Sequence, residues 1–433
     1  MQELKKTVSL TIHADTAWIP LVQSMVELGC PVLGLDSSKT LRLTMATEEI
    51  VSHLATAAPG IKIECTLTTG GWHVLAGFSF KADPSDLWAM NLVASSDLSV
   101  SGNIEHMGLL LASRMVDDFS FHVHQGTVHL SLRQDCTYPT ITPESTNRIE
   151  VKGDLSIVTN PEPAIIKESC ARALNLYPPH KIHQAFTTPG KIVDMVNKND
   201  LDVAIAVDQR GALSGMICWH SQRIPSVSFF GPYIFAKNDT LAELLTEHLL
   251  HAVARTPATG LFSEMATDQL PTRDFESMGH LVLQTDNNQN VRQDCWYRHL
   301  QEDPGASVWA HPDMLAFLEK TYDSHVLMRD IKRTDSKGEA LPDRSVFSAH
   351  LQPELHKASL LPMLLGADAD DCVKQHIKAL TVENYINIFF RIDLAYGWQA
   401  TLGGILMKHG FVPQLVLPYG GKSDVVIFQY EYV

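Results

Sequence analysis

"SVSFFGPYIFAKNDTLAELLTEHLLHAVART" occupies residues 226–256, and its reading decides how the middle of the chain folds. The first ten residues are rich in aromatic and β-branched side chains and predict a strand. From position 241 the apolar residues Leu241, Leu244, Leu245, Leu249 and Val253 recur at helical spacing, so 240–256 reads as a helix with a core-facing stripe. Ala236, Lys237, Asn238 and Asp239 join the two. A strand that enters a helix through a short loop leaves free backbone N–H groups at the positive end of the helix dipole, which suits an anion. Thr240 is placed to cap the helix, and Lys237 adds positive charge.

The neighbouring segments extend this pattern. Upstream, "DVAIAVDQRGALSGMICWHS" (202–221) predicts two antiparallel strands turned at Arg210–Gly211. Downstream, "GLFSEMA" (260–266) predicts a strand, followed by a helix ending near Gly279 and the strand "LVLQT". Residues 150–332 therefore read as one block of alternating strands and helices. The turn-rich "DCTYPTITPESTN" closes an earlier block, 1–135, and the polar "RTDSKGEALPDR" (333–344) reads as a linker to a last block, 346–433. That block carries "NYINIFF", the helix "GWQATLGGILMKHG" and "DVVIFQY". Its strands are too few to cover its own helix, so it is expected to pack with the second block.

The first block has its own order. Strand 6–13 precedes helix 17–29, which is expected to end at Gly29. "LTMATEEIVSHL" (43–54) places Leu43, Ala46, Ile50 and Leu54 on one helical stripe, and sets Glu49 and His53 one turn apart on one face. Strands 61–69 and 72–80 flank Gly70–Gly71, helix 105–119 follows, and a last hairpin turns at Gly126. Helices on one face of a mixed sheet are the expectation. The fold class is α/β, of the α+β kind.

Composition bounds the function. A chain of 433 residues predicts roughly three domains. The net charge of −15 argues against bulk nucleic-acid binding, which needs a positive face. No apolar run in the sequence reaches the ~20 residues of a membrane span, and "MQELKKTVSLTIHAD" reads as a strand rather than a signal peptide. The seven cysteines are scattered and include no CxxC pair, which argues against zinc ribbons and a disulfide framework and favours a reducing cytoplasm. His122, His124 and His129 alternate along strands without a third ligand at a metal-binding spacing, so they read as strand histidines and no metal site is expected.

The order of elements over roughly residues 5–134 resembles the ATP-binding domain of the anti-sigma-factor serine kinases, within the histidine-kinase-like (GHKL) ATPase superfamily. The family's E-E-x-x-x-N helix implies Glu49 as the catalytic residue that orients or activates the attacking group, and sets His53 at the metal-holding Asn. "GNIEHMGLLLASRMVDDFSFHVHQGTVHLSL" implies Gly102 and Gly108 as the phosphate-side glycines. The D-x-G-x-x-F-D-P motif falls on "LAGFSFKADP", with Gly77 and Phe80 in register and Leu75 at the adenine-reading Asp. The implied nucleotide-binding set is His53, Gly77, Gly102 and Gly108. Leucine cannot accept the adenine hydrogen bond, a loss of roughly 1–3 kcal/mol, and imidazole is a poor ligand for magnesium. Both changes argue against Mg-ATP turnover.

Block 150–332 resembles the Gcn5-related N-acetyltransferases (GNAT) in its run of elements, and 346–433 resembles the back half of the same fold. The resemblance implies an acyl-CoA held by the fourth strand and the start of the next helix, here Tyr233, Phe235, Lys237 and Thr240. The family loop Q/R-x-x-G-x-G/A is "AKNDTL" here, without glycine. The family's Y-x-K-x-G-F tyrosine, which protonates the leaving thiolate, is met by Leu406 in "LMKHGF" and Phe275 in "FESMGH". Loss of such an acid costs ~10²–10⁴ in rate. Tyr297, Tyr385 and Tyr396 are the open alternatives.

The expectation is a cytoplasmic regulatory protein, with a homodimer compatible, that senses a nucleotide or acyl-CoA and signals to a partner protein. The alternative is a working N-acyltransferase with a regulatory N-terminal domain. A third reading is a residual ATP-dependent serine kinase using Glu49.

Overall fold

The computed structural model describes residues 6–94, 107–142, 148–151, 153–221, 225–285, 287, 289–335 and 340–431. The chain divides into two compact units. One comprises Met1–Thr137, Lys337–Leu351 and Ala358–Ile388; the other comprises Tyr138–Ser336, Gln352–Lys357 and Phe389–Val433. The stretch read from sequence as a last block is thus divided between them.

Unit one begins with β1 (Thr7–His13), α1 (Ile19–Leu33) and α2 (Ser37–Ala57). It continues with β2 (Lys62–Thr69), β3 (His73–Phe80), α3 (Met107–Met115), β4 (Asp118–His124) and β5 (Thr127–Asp135). The sheet order is β1-β2-β3-β5-β4, with every pair antiparallel rather than mixed. Alternation along β3 buries Val74, Ala76, Phe78 and Phe80 in a core shared with Val22 and Val26 of α1 and Leu43, Ile50 and Leu54 of α2. The helix expected to end at Gly29 runs on to Leu33. It stops at Gly34, whose φ of 106° is the left-handed turn that ends helices. Asp36 caps α2 by accepting from the Lys39 N–H at 2.9 Å. Thr16–Leu33 is long and apolar enough, by length and composition alone, to cross a membrane. Its buried residues Val22, Val26, Cys30 and Leu33 belong to the unit's core.

Unit two carries β6 (Ile149–Glu150), β7 (Ser156–Val158), α4 (Pro163–Leu176), α5 (Pro189–Asn197), β8 (Leu201–Val207), β9 (Leu213–His220) and β10 (Ser226–Ile234). Next come β11 (Ala236–Lys237), α6 (Leu241–Val253), β12 (Gly260–Ala266), β13 (Glu276–Gln284) and β14 (Asn290–His299). Then follow β15 (Ala306–Ala310), α7 (Leu315–Ser324) and β16 (Arg329–Arg333). Seven strands form one sheet in the order β13-β14-β12-β10-β9-β8-β7. β10 lies parallel to β12, and α6 makes the crossover that parallel strands require. Every residue of β10 is buried, as a central strand covered on both faces demands. The α6 stripe Leu241, Leu245, Leu249 and Val253 packs with Ile217 and Phe229 of this sheet. The helix expected before Gly279 is absent. Thr272–Asp274 forms one 3₁₀ turn, and β13 runs through Gly279, where a register shift and a φ of 114° absorb the irregularity.

β17 (Val346–Gln352), β18 (Lys357–Leu364) and α8 (Ala369–Val382) fall mainly in unit one, with Gln352 and Lys357 assigned to unit two. β19 (Asn387–Asp393) leads into unit two, followed by α9 (Gly397–Lys408), β20 (Phe411–Leu417) and β21 (Val425–Tyr430). β21 pairs antiparallel with both β19 and β20. Within unit two this piece meets β13: the Val282 N–H donates to Gln429 at 3.1 Å, and Gln429 donates back to the Val282 carbonyl.

Candidate functional site in the second unit

Strand β10 is regular at its start and irregular at its end. Its register against β9 shifts between Phe230 and Tyr233, and its pairing with β12 stops at Gly231↔Ala266. Beyond that point β10 leaves β12. The Phe235 N–H donates to Ser214 at 2.8 Å, toward β9, so by alternation the Ile234 groups point to the opposite edge. That edge is not empty. The Ile234 N–H donates to the Tyr177 phenol oxygen at 2.6 Å. Tyr177 follows α4 directly and is buried; burial pushes its pKa up, which keeps the phenol neutral. Its ring meets Tyr233 edge-on at 5.3 Å, and Tyr233 meets Phe186 at 5.4 Å.

The residues expected to hold a coenzyme take these places. Tyr233 and Phe235 are fully buried, and the Tyr233 hydroxyl donates to the Lys181 carbonyl at 3.0 Å. Phe235 accepts from the Ile149 N–H at 3.0 Å, and Ala236–Lys237 pair with Ile149–Glu150 as a short parallel ribbon. Lys237 and Thr240 are exposed. Thr240 does not cap α6 with its side chain; its hydroxyl donates to Asn238 at 2.8 Å, and its N–H reaches the same oxygen at 2.9 Å. Asn238 thus closes the turn into α6.

A cavity of about 110 Å³ opens beside the second half of β12. β12 bulges there, because Phe229 pairs with Ser263 while Phe230 pairs with Met265, which leaves Glu264 as the extra residue. A bulge re-aims a side chain, and Glu264 lines the cavity. Lys357 and Arg391 line it from β18 and β19, with Leu355, Leu415 and Ile427 as apolar wall. Among the described residues, neither Lys357 nor Arg391 forms an ion pair or a side-chain hydrogen bond. Burial, and then the nearby Arg391 charge, lower the Lys357 pKa to about 8 against the opposing pull of Glu264. His180, also on the wall, is held below its ordinary value by burial and by Lys181, so it is neutral near pH 7.

The tyrosines open as general acids are elsewhere. Tyr297 is fully buried beneath Gly260, and Tyr385 is buried in unit one. Tyr396 lies under the Lys422 ammonium at 5.2 Å. Leu406 and Phe275, expected where the resemblance calls for a tyrosine, are core residues.

In unit one, Glu49 and Gly108 come together. A Cβ on Gly108 would fall 2.1 Å from a Glu49 carboxylate oxygen, so glycine lets that side chain lie against the start of α3 where a larger residue would push it aside. Burial, then repulsion from Glu48, raises the Glu49 pKa. His53 is buried one turn along α2. Gly77 is set apart from them: it packs against Thr66 on the sheet face opposite the core residues Ala76 and Phe78. Leu75 shares that opposite face. Gly102 lies outside the described residues. The His122 and His129 rings stack at 4.9 Å. No group of three or more metal-ligating side chains occurs among the described residues.

No protein-family model and no curated protein matches this sequence. Solved structures are similar over a third of it. They include a GNAT-superfamily phosphinothricin acetyltransferase from Sinorhizobium meliloti in complex with AcCoA, at 14% identity, covering 34% of this chain and 89% of that one, TM-score 0.29. A spermidine N-acetyltransferase chimera from Vibrio cholerae and hSSAT shares 15% identity over 34% of this chain and 95% of its own, TM-score 0.27. A GNAT-family acetyltransferase from Staphylococcus aureus shares 10% over 34% and 100%, TM-score 0.26. These values assign no activity to this chain.

Tyr177, Glu264, Lys357 and Arg391 were not singled out from sequence. A signal existed for two of them. Glu264 in "GLFSEMA" and Arg391 in "NIFFRIDL" are lone charges inside otherwise apolar strands, a pattern that asks for a reason.

Proposed function

We propose that this chain is a regulatory protein: an acetyltransferase-like module that senses an acyl-CoA, joined to a kinase-like N-terminal module that passes the signal to a partner protein. The observation that carries this is the Tyr177 phenol on the Ile234 N–H, at 2.6 Å. In the fold that unit two resembles, that strand edge serves the coenzyme's pantetheine arm. Here the chain satisfies it from within, so a coenzyme must displace the phenol to bind. Opening at a cost lowers the apparent affinity by the fraction of molecules in which the edge is free, so ligand binding shifts the population toward the open form. The buried Leu406 and Phe275 at the acid position support the same reading. The element order of unit one supports the kinase-like module. Glu49 seated against the start of α3 places a negative charge where a nucleotide phosphate would approach, which supports a role without ATP turnover.

The test is a thermal-shift titration with acetyl-CoA and longer acyl-CoAs on the wild-type chain and on Tyr177→Phe, which frees the Ile234 N–H. The expected result is a stabilising shift that is larger, at equal ligand, in the variant. Absence of any shift in both proteins would remove the coenzyme from this edge. Steady release of free CoA with amine acceptors would instead favour a transferase.

A further inference from the structure

We propose that the cavity in unit two lined by Glu264 of β12, Lys357 at the start of β18 and Arg391 of β19 is a binding site for a small organic carboxylate with a short apolar body, whose anionic end is held jointly by Lys357 and Arg391. Its lining includes none of Tyr177, Tyr233 and Ile234. Three features of the geometry lead here. Two cations line one small cavity, and among the described residues neither has an acid or hydrogen-bond partner there. Lys357 lies 5.4 Å over the Phe389 ring and feels Glu264, but the two like charges still repel one another and lose solvation, and an anion between them offsets both costs. Part of the remaining wall is apolar, with Leu355, Leu415 and Ile427 suited to a few carbon atoms, and part is polar, with Ser263, Gln293 and Glu264. The volume of about 110 Å³ has room for a small organic molecule.

The charges that face Lys357 from every side set a pH signature. Arg391 comes from β19, Glu264 from β12, Asp294 from β14, and His180 from the turn after α4. With a pKa of about 8 in the free protein, Lys357 is charged at neutral pH and discharges above it. Carboxylate affinity should therefore be full below about pH 7 and fall as the pH rises through 8. Binding near pH 8 should take up a proton, because the bound anion draws the Lys357 pKa upward.

The experiment is calorimetry on the full chain with acetate, butyrate, hexanoate, the apolar α-amino acids and inorganic phosphate as probes, in buffers of different ionisation enthalpy. The expected result is binding of at least one carboxylate, weakened about 10- to 100-fold by Lys357→Met and by Arg391→Met. Lys357→Arg should retain affinity and extend it above pH 8, which a merely structural role for Lys357 would not produce. A preference for amino acids over simple acids of equal length would add an ammonium contact to Glu264. Four outcomes overturn the assignment: no carboxylate binding, binding of phosphate alone, affinity indifferent to both methionine variants, or affinity flat from pH 6 to 9.

Discussion

Two cationic places in unit two are built in opposite ways. Arg329, on β16, has no exposed side-chain surface, and its guanidinium is fully committed. Its Nε and one terminal nitrogen donate to Asp424 at 2.7 and 3.2 Å, and the other donates to Asp303 at 2.7 Å. Tyr419 lies 4.6 Å beneath it and donates its hydroxyl to Asp303. Both carboxylates hold the Arg329 pKa above its ordinary value despite burial. Lys357 and Arg391 have no such partners, and Lys357 is shifted the other way, down to about 8. A buried charge that the fold completes is part of the framework. A half-buried charge that the fold leaves open waits for something from outside, or exists at a cost to stability. The Ile234 edge falls between the two: its backbone N–H is satisfied, but by one removable phenol.

This contrast can be broken at its strongest point first. Arg329→Met should destabilise the protein by about 3–5 kcal/mol in urea unfolding, because it strands two carboxylates in the interior. A loss under about 1 kcal/mol would mean that the cluster is not a framework. Next is Tyr177→Phe, which leaves the Ile234 N–H unpaired and should cost about 1–3 kcal/mol without ligand. Acyl-CoA should restore more of that loss than it adds to the wild type. Smaller again is Lys357→Met, expected within about 1 kcal/mol of wild type at pH 7, or more stable. Its sharper readout is pH. Between about 8 and 10.5 the unfolded chain holds a proton on Lys357 that the folded chain has released, so wild-type stability gains a rising contribution across that window. Lys357→Met should lack that contribution. Smallest is Glu49→Gln. The folded-state pKa of Glu49 is raised, so its contribution to stability declines as pH rises above 4.5; the variant should be flatter there and slightly more stable at neutral pH.

Legibility from the sequence followed the range of the interactions. Strands β8, β9, β10 and β12 and helix α6 were readable because each is specified by local periodicity and by turn residues such as Gly211, whose φ is 77°. The helix expected before Gly279 was misread because "FESMGHLVLQ" has no decisive period and its strand state depends on pairing with β14, from Glu276↔Tyr297 to Gln284↔Asn290. The end of α1 was misplaced because glycine is a stop signal only where the backbone turns left-handed. Gly29 does not, and Gly34 does. Of the candidate nucleotide residues, spacing brought Glu49 and His53 onto one helix. It could not reveal that Gly77 lies on the sheet face away from the core, since that depends on register against Thr66.

The sequence by itself determined the α/β class, the order of elements through the middle of the chain and the absence of glycines at the turn into α6, because these depend on residues within a few positions of each other. The tertiary structure alone decided which groups are finished and which are open. Tyr177 meets Ile234 across 57 positions, and Arg329 meets Asp424 across 95. Lys357 and Arg391 reach one cavity with Glu264 from three separate strands. Hydrogen bonding and charge pairing act over a few ångströms of space and are indifferent to distance along the chain, so whether a polar group is satisfied is settled only when the strands are laid side by side.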